Sequence, residues 1–135
     1  MTKSWYQHSK ISPVIERTSR EGFIFHSKTE LQRWEYLKIL EKAGVIFDLE
    51  RQVKHVLKRD GADPFTIMAG EKPAVYTPDF LYYRRCEKSV VAVKVIEDLK
   101  GYRDEASKFR IRVFEALYGQ KVSIVQKINK RWVTL

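Results

Sequence analysis

One cysteine, Cys86, stands in a chain of 135 residues. That excludes an intramolecular disulfide and leaves no basis for a cysteine-built zinc site. The three histidines, His8, His26 and His55, are far apart and lack ligand spacing, so no histidine metal centre is expected. No apolar run approaches the roughly 18 residues that a membrane-spanning helix needs. Residues Met1 to Lys10 lack the apolar stretch of a secretory signal. These absences point to a reducing compartment, the cytoplasm. There is also no internal repeat, low-complexity tract or Gly/Ser linker, so residues 1–135 read as a single domain.

What is present is enough to fold. Apolar residues make up 44% of the chain and aromatic residues 13%, which suits one hydrophobic core. The 26 Lys and Arg outnumber the 17 Asp and Glu, giving a net charge of +9. The excess gathers at the ends. Lys121, Lys127, Lys130 and Arg131 stand in the last fifteen residues with no acid, and Lys3, Lys10, Arg17 and Arg20 stand in the first twenty against Glu16 alone. Basic ends suit a polyanion, through release of counterions on phosphate contact. A solvated basic surface is the competing explanation.

Periodicity divides the chain into a basic arm at 1–22, a core at 22–125 and a basic tail at 126–135. Ser27 opens a helix running to about Ala43, with Gly44 as its stop. Tyr36, Ile39, Leu40 and Ala43 share one face of it, and Glu30, Trp34 and Leu37 share another, so packing on two sides is expected. Val45–Leu49 and Gln52–Leu57 read as strands. Lys58 to Pro73 reads as a hairpin excursion or a functional loop. Val75–Tyr83 reads as a strand with Pro78 at an edge or bulge, and Val90–Leu99 as the strongest strand of all. Asp104–Tyr118 reads as a second helix with Phe109, Val113, Ala116 and Leu117 inward and Gly119 at its end. Val122–Val125 makes a last strand. The order implies an α/β domain with a mixed sheet.

The chemistry-bearing residues are Pro78-Asp79 and, after eighteen intervening positions, Asp98-Leu99-Lys100. Strand side chains alternate, so Asp98 and Lys100 emerge on one side. Asp79 follows the apolar lead-in of a strand that can pair with theirs. Two converging carboxylates form a hard-oxygen site suited to Mg²⁺ or Mn²⁺, and a lysine beside them can activate water or offset charge on a reacting phosphate. A plain ion pair at a strand end is the alternative for Asp98 and Lys100. Gln52 can hold a water or a DNA phosphate, or simply be a satisfied polar residue. Lys108 and Arg112, one helical turn apart, repel unless an anion lies between them. With Lys127, Lys130 and Arg131 they are the candidate nucleic-acid contacts. Trp5, Tyr6 and Trp132 are candidates for packing on DNA or on a second subunit.

Pro78-Asp79…Asp98-Leu99-Lys100 resembles the signature of the PD-(D/E)XK nuclease superfamily. Four further segments, in order, resemble a small phage-encoded group within it that is similar to Holliday-junction resolvases. These are Phe25-His26-Ser27-Lys28-Thr29-Glu30, Ala43 to Gln52, Tyr76 to Phe80 and Ile96 to Gly101. The resemblance covers residues 22 to 125. It implies a restriction-endonuclease-like sheet flanked by helices and a divalent-metal-dependent DNA endonuclease. The substrate it implies is branched DNA, cut by a homodimer in a bacterial host cell. It further implies that Asp79, Asp98 and the Leu99 carbonyl ligate Mg²⁺ or Mn²⁺, that Lys100 is the catalytic lysine, and that Glu30 matches an added catalytic acid. Ser27-Lys28-Thr29-Glu30 is equally a capping box, which gives Glu30 a purely structural reading. Asp98 replaces the commoner Glu of the third motif, which leaves Glu97 as a rival for the metal; alternation with Lys100 favours Asp98. A nuclease for plain duplex or single strands and a catalytically idle DNA-binding subunit are the other functions compatible with these residues.

Overall fold

The structure is a computed structural model and describes residues 12–101 and 104–135. Helix α1 spans Lys28–Lys42. The Ser27 hydroxyl caps it, accepting the Glu30 amide at 3.0 Å, and Gly44, at φ +79°, lets the chain turn away. Strand β1 follows (Ile46–Arg51), then β2 (Phe80–Arg85), β3 (Ala92–Leu99), helix α2 (Glu105–Tyr118), β4 (Val122–Ile128) and β5 (Arg131–Thr134). The five strands form one sheet in their order along the chain. Only β3 and β4 run parallel, and α2 is the crossover between them. The expected mixed α/β architecture is the one found.

Alternation along β2 divides the core in two. Phe80 and Tyr82 face α1, where they pack with Trp34 and Leu37. Leu81, on the opposite face, joins Ile96, Tyr76 and Phe114 of α2. The sheet is therefore sandwiched by one helix on each face, and each fully buried large apolar side chain adds about 1.5–3 kcal/mol. Between β1 and β2 the chain makes three short antiparallel ladders. The excursion at Lys58 to Pro73 is thus a pair of small hairpins.

Several expectations change in the folded chain. Helix α1 packs on one side: Tyr36 is 40% and Ile39 66% exposed, while Leu31, Arg33, Trp34 and Leu37 turn inward. On α2 it is Phe114, 1% exposed, that fills the core, while Phe109 is 57% exposed. Val113 and Leu117 pack against that core as expected, joined by Ile111, while Ala116 is exposed. Val75–Tyr83 is not one strand. It divides into Val75–Tyr76 and Phe80–Arg85, since Pro78 has no N–H to donate and is itself buried. Gln52–Leu57 is not a full strand either; only His55–Val56 pairs, with Val75–Tyr76. The last strand runs on to Ile128, and residues 131–134 pair back on it, so 126–135 is the edge hairpin of the sheet and not a tail. Residues 12–22 are not a loose arm. Thr18 bridges to Ile24, and the Arg17 guanidinium donates to the carbonyls of Ser12 and Phe25. Trp5 and Tyr6 lie outside the described residues. Among the described residues no helix is long and apolar enough to cross a membrane.

Candidate functional site

The antiparallel register of β2 and β3 sets Phe80 opposite Glu97, which brings Asp79 beside Asp98. The two acids are joined through the backbone. The Asp79 amide donates to Asp98 Oδ1 at 2.7 Å, and the Leu99 amide donates to Asp79 Oδ2 at 2.8 Å. The Tyr76 hydroxyl donates to Asp98 Oδ2. Hydrogen bonds to the charged oxygens hold these carboxylates in fixed directions. Both acids line a cleft of about 310 Å³, with Tyr76 on one side and Ser107 and Arg110 of α2 on the other.

Parity settles which acid of the Glu97-Asp98 pair faces this cleft. Asp98 points the same way as Ile96, toward α2. Glu97 points toward α1, where it is 1% exposed. There Arg33 grips it with two hydrogen bonds, Nε to Oε2 at 2.8 Å and Nη2 to Oε1 at 2.7 Å, and the Tyr82 hydroxyl donates at 2.7 Å. Burial disfavours the charge on Arg33, but Glu97 overcomes this and raises its pKa. Burial, reinforced by Glu97, also pushes the Tyr82 phenol up. Trp132 covers the pair, with the Arg33 guanidinium 5.1 Å from its ring centre. Trp132 is therefore occupied within its own chain.

Glu30 is not a closed capping box. Its amide is capped by Ser27, but its carboxylate is buried at the end of the helix, 5% exposed, and Oε1 has no hydrogen-bond partner among the described residues. Burial raises its pKa; His26 and Gln52 partly oppose this, and the negative charge of Asp98 adds to it. Gln52 completes this corner. Its amide donates to the Asp79 carbonyl at 3.1 Å, its φ is +52°, and its Nε2 is 3.5 Å from His26 Nδ1.

The structure thus brings Asp79 and Asp98 together and ties Gln52 to Asp79 through the backbone, while Glu30 Oε2 lies 3.8 Å from His26 Nδ1. Lys100 is separate: its amide donates to the Val125 carbonyl at 2.8 Å, and its side chain lines two neighbouring clefts rather than the carboxylate cleft. Lys127 and Lys130 share one of these with Lys100, and Lys108 and Arg112 share the other. Arg131 is exposed on β5. Among the described residues no three His, Cys, Asp or Glu side chains are grouped closely enough to hold a metal ion between them. Asp79 and Asp98, with a backbone carbonyl and water, are the oxygens that a hard divalent cation could use.

Sequence reasoning missed Tyr76, Ser107, Arg110 and the Arg33–Glu97 pair. Ser107, Arg110 and Ile111 at i, i+3 and i+4 form one helix face, a signal that was available. Arg33 and Glu97 are 64 positions apart, and no local pattern joins them.

Fold and site together define a mixed α/β domain with a locked pair of carboxylates at the adjoining ends of two antiparallel strands. The chain belongs to the family described as "Protein of unknown function (DUF1064)", which matches residues 8–132. No curated protein and no solved structure matches it.

Proposed function

We propose that this chain is a divalent-metal-dependent DNA endonuclease of the PD-(D/E)XK type acting on branched DNA. The observation that carries the reading is the Asp79–Asp98 lock with the buried Glu30 carboxylate beside it. Two carboxylates held side by side at one sheet end repel one another, and on the α1 side the buried Glu30 Oε1 lacks a hydrogen-bond partner among the described residues. That arrangement favours a bound cation. Asp79, Asp98 and the Leu99 carbonyl would hold Mg²⁺ or Mn²⁺, which supplies Lewis acidity to a phosphate oxygen and a more acidic water. Arg110, across the cleft, is placed to receive a phosphate of the same strand. Lys100, in the basic clefts beside the carboxylate cleft, would offset charge developing on the phosphate under attack. Gln52 and Glu30 orient water on the α1 side.

One chain carries one such set, so resolving a four-way junction takes a two-fold homodimer with two sites in fixed relation. The cytoplasm of a host cell is where such a substrate is met. A DNA-binding subunit without catalysis is the second reading, favoured by the position of Lys100 in the basic clefts. Incubation of the purified protein with four-way junction, linear duplex and single-stranded DNA, with and without Mg²⁺, separates them. Magnesium-dependent cutting of the junction in preference to linear duplex is expected. Tight binding with no cutting on any substrate would favour the second reading.

A further inference from the structure

Besides the carboxylate cleft, two more clefts open at the end of β3, and among the described residues neither is lined by an Asp or Glu side chain. The first, about 450 Å³, is bounded by Thr29, Leu99, Lys100, Val125, Lys127 and Lys130. The second, about 620 Å³, is bounded by Lys100, Lys108, Ile111, Arg112 and Ile124. Ile124 and Val125 are neighbours on β4, and strand neighbours point to opposite faces. The two clefts therefore lie on opposite faces of the sheet, and Lys100, just past its end, belongs to both.

Each cleft carries a sign of anion binding. In the first, Lys130 sits at the second position of the Asn129-Lys130 turn with φ +64°, in a hairpin geometry where glycine is the unstrained choice. A lysine there costs on the order of 1 kcal/mol of backbone strain. With Lys100 and Lys127 it gives this cleft three lysines and, among the described residues, no Asp or Glu side chain. In the second, Lys108 and Arg112 are one turn apart on the same face of α2; the 3.4 Å contact of Lys108 with Glu105 is an exposed pair of little strength, so both cations can turn to a phosphate.

A continuous backbone running along one face of the sheet reaches one of these clefts. Two backbones that part company at the sheet end reach both. We infer that Lys100 marks the point where two DNA strands diverge, one passing through the Lys127/Lys130 cleft and the other through the Lys108/Arg112 cleft. The ligand is forked DNA, with its branch point at Lys100. This rests on the reading of the protein as a DNA-binding enzyme and adds how its substrate is divided between the two faces.

The test is binding by fluorescence anisotropy with the full chain, in EDTA, at about 100 mM salt, where phosphate contacts still dominate. The probes are a forked duplex with two single-stranded arms, a linear duplex and a single strand of matching sequence. The variants are K108E/R112E and K127E/K130E, with the corresponding double alanines as replacements if circular dichroism shows that a charge reversal unfolds the chain. The wild type should prefer the fork, and each pair should weaken fork binding by at least about tenfold while bringing it to the level of linear duplex. Equal losses on fork and duplex, or a fork preference that survives both variants, overturns the inference. No cleavage is read, so the two claims separate. A chain that shows this pattern yet never cuts with Mg²⁺ overturns the nuclease alone, and one that cuts but shows parallel losses overturns the fork alone.

Discussion

The backbone amide of Asp79 donates to the carboxylate of Asp98 at 2.7 Å, so the acid at the end of β3 fixes the chain entering β2. The Leu99 amide returns the contact to Asp79 at 2.8 Å, and each acid thus orients the other. Their directions come from backbone groups, which do not change rotamer. A site held in this way keeps its geometry whether or not a ligand is present.

Asp98→Ala should therefore cost stability as well as any activity. It strips the acceptor from a part-buried amide and from the Tyr76 hydroxyl, a loss of about 1–3 kcal/mol. Asp98→Asn keeps one carbonyl oxygen to accept the Asp79 amide and should cost less. Urea denaturation of the two variants checks the order. Equal stability of wild type and Asp98→Ala would mean that the lock contributes nothing.

The Arg33–Glu97 pair makes a sharper stability prediction. Both side chains are buried, and removing either strands the other. Arg33→Ala or Glu97→Ala should each destabilise the protein by about 3–5 kcal/mol. Replacing both with apolar residues of similar size should restore much of the loss. A double variant as unstable as either single one would contradict this account of the pair.

The pH dependence of stability should report Glu30. Burial raises its pKa above 4.5, so the folded chain favours the neutral acid. The stability this gives is present below the unfolded value and is lost as pH rises through the folded one. Glu30→Gln mimics the neutral form. It should match wild type in acid and exceed it in thermal stability at neutral pH. Melting curves from acid to neutral pH check the sign. A Gln variant less stable at neutral pH would show that the ionised carboxylate is favoured.

DNA binding should be steeply salt-dependent. A surface engaging roughly 6–10 phosphates loses about 10³–10⁵ in affinity between 50 and 200 mM salt. Charge removal at Lys127, Lys130 and Arg131 should flatten that slope. Truncation is unsuitable as a test, because residues 127–135 contribute the end of β4 and all of β5. An unchanged slope would assign these cations to something other than phosphate.

Much of this was legible in the sequence because it was local. Ser27 and Gly44 bound α1, Gly119 ends α2 at φ +63°, and the alternation of Asp98 with Lys100 directs the acid to the cleft. Other features depend on distant partners. The inward face of α1 carries Arg33, which a periodicity argument counts as polar and therefore outward; only Glu97, across the sheet, makes its burial tolerable. The β4–β5 hairpin was hidden by the Asn129-Lys130 turn, since lysine is not a residue that marks a left-handed position. The same alternation placed Lys100 beside Asp98, yet β3 ends at Leu99, and beyond the strand alternation no longer directs a side chain.

The central claim is that Asp79 and Asp98 form a metal-dependent cutting site, and single-turnover cleavage of a four-way junction tests it most directly. Wild type should cut with Mg²⁺ and not with EDTA. Asp79→Asn and Asp98→Asn should fold, bind the junction and fail to cut, and Lys100→Ala should be slower by about 10²–10³-fold. Cleavage by Asp98→Asn at a rate near wild type, or wild-type cutting that persists in EDTA, would contradict the account.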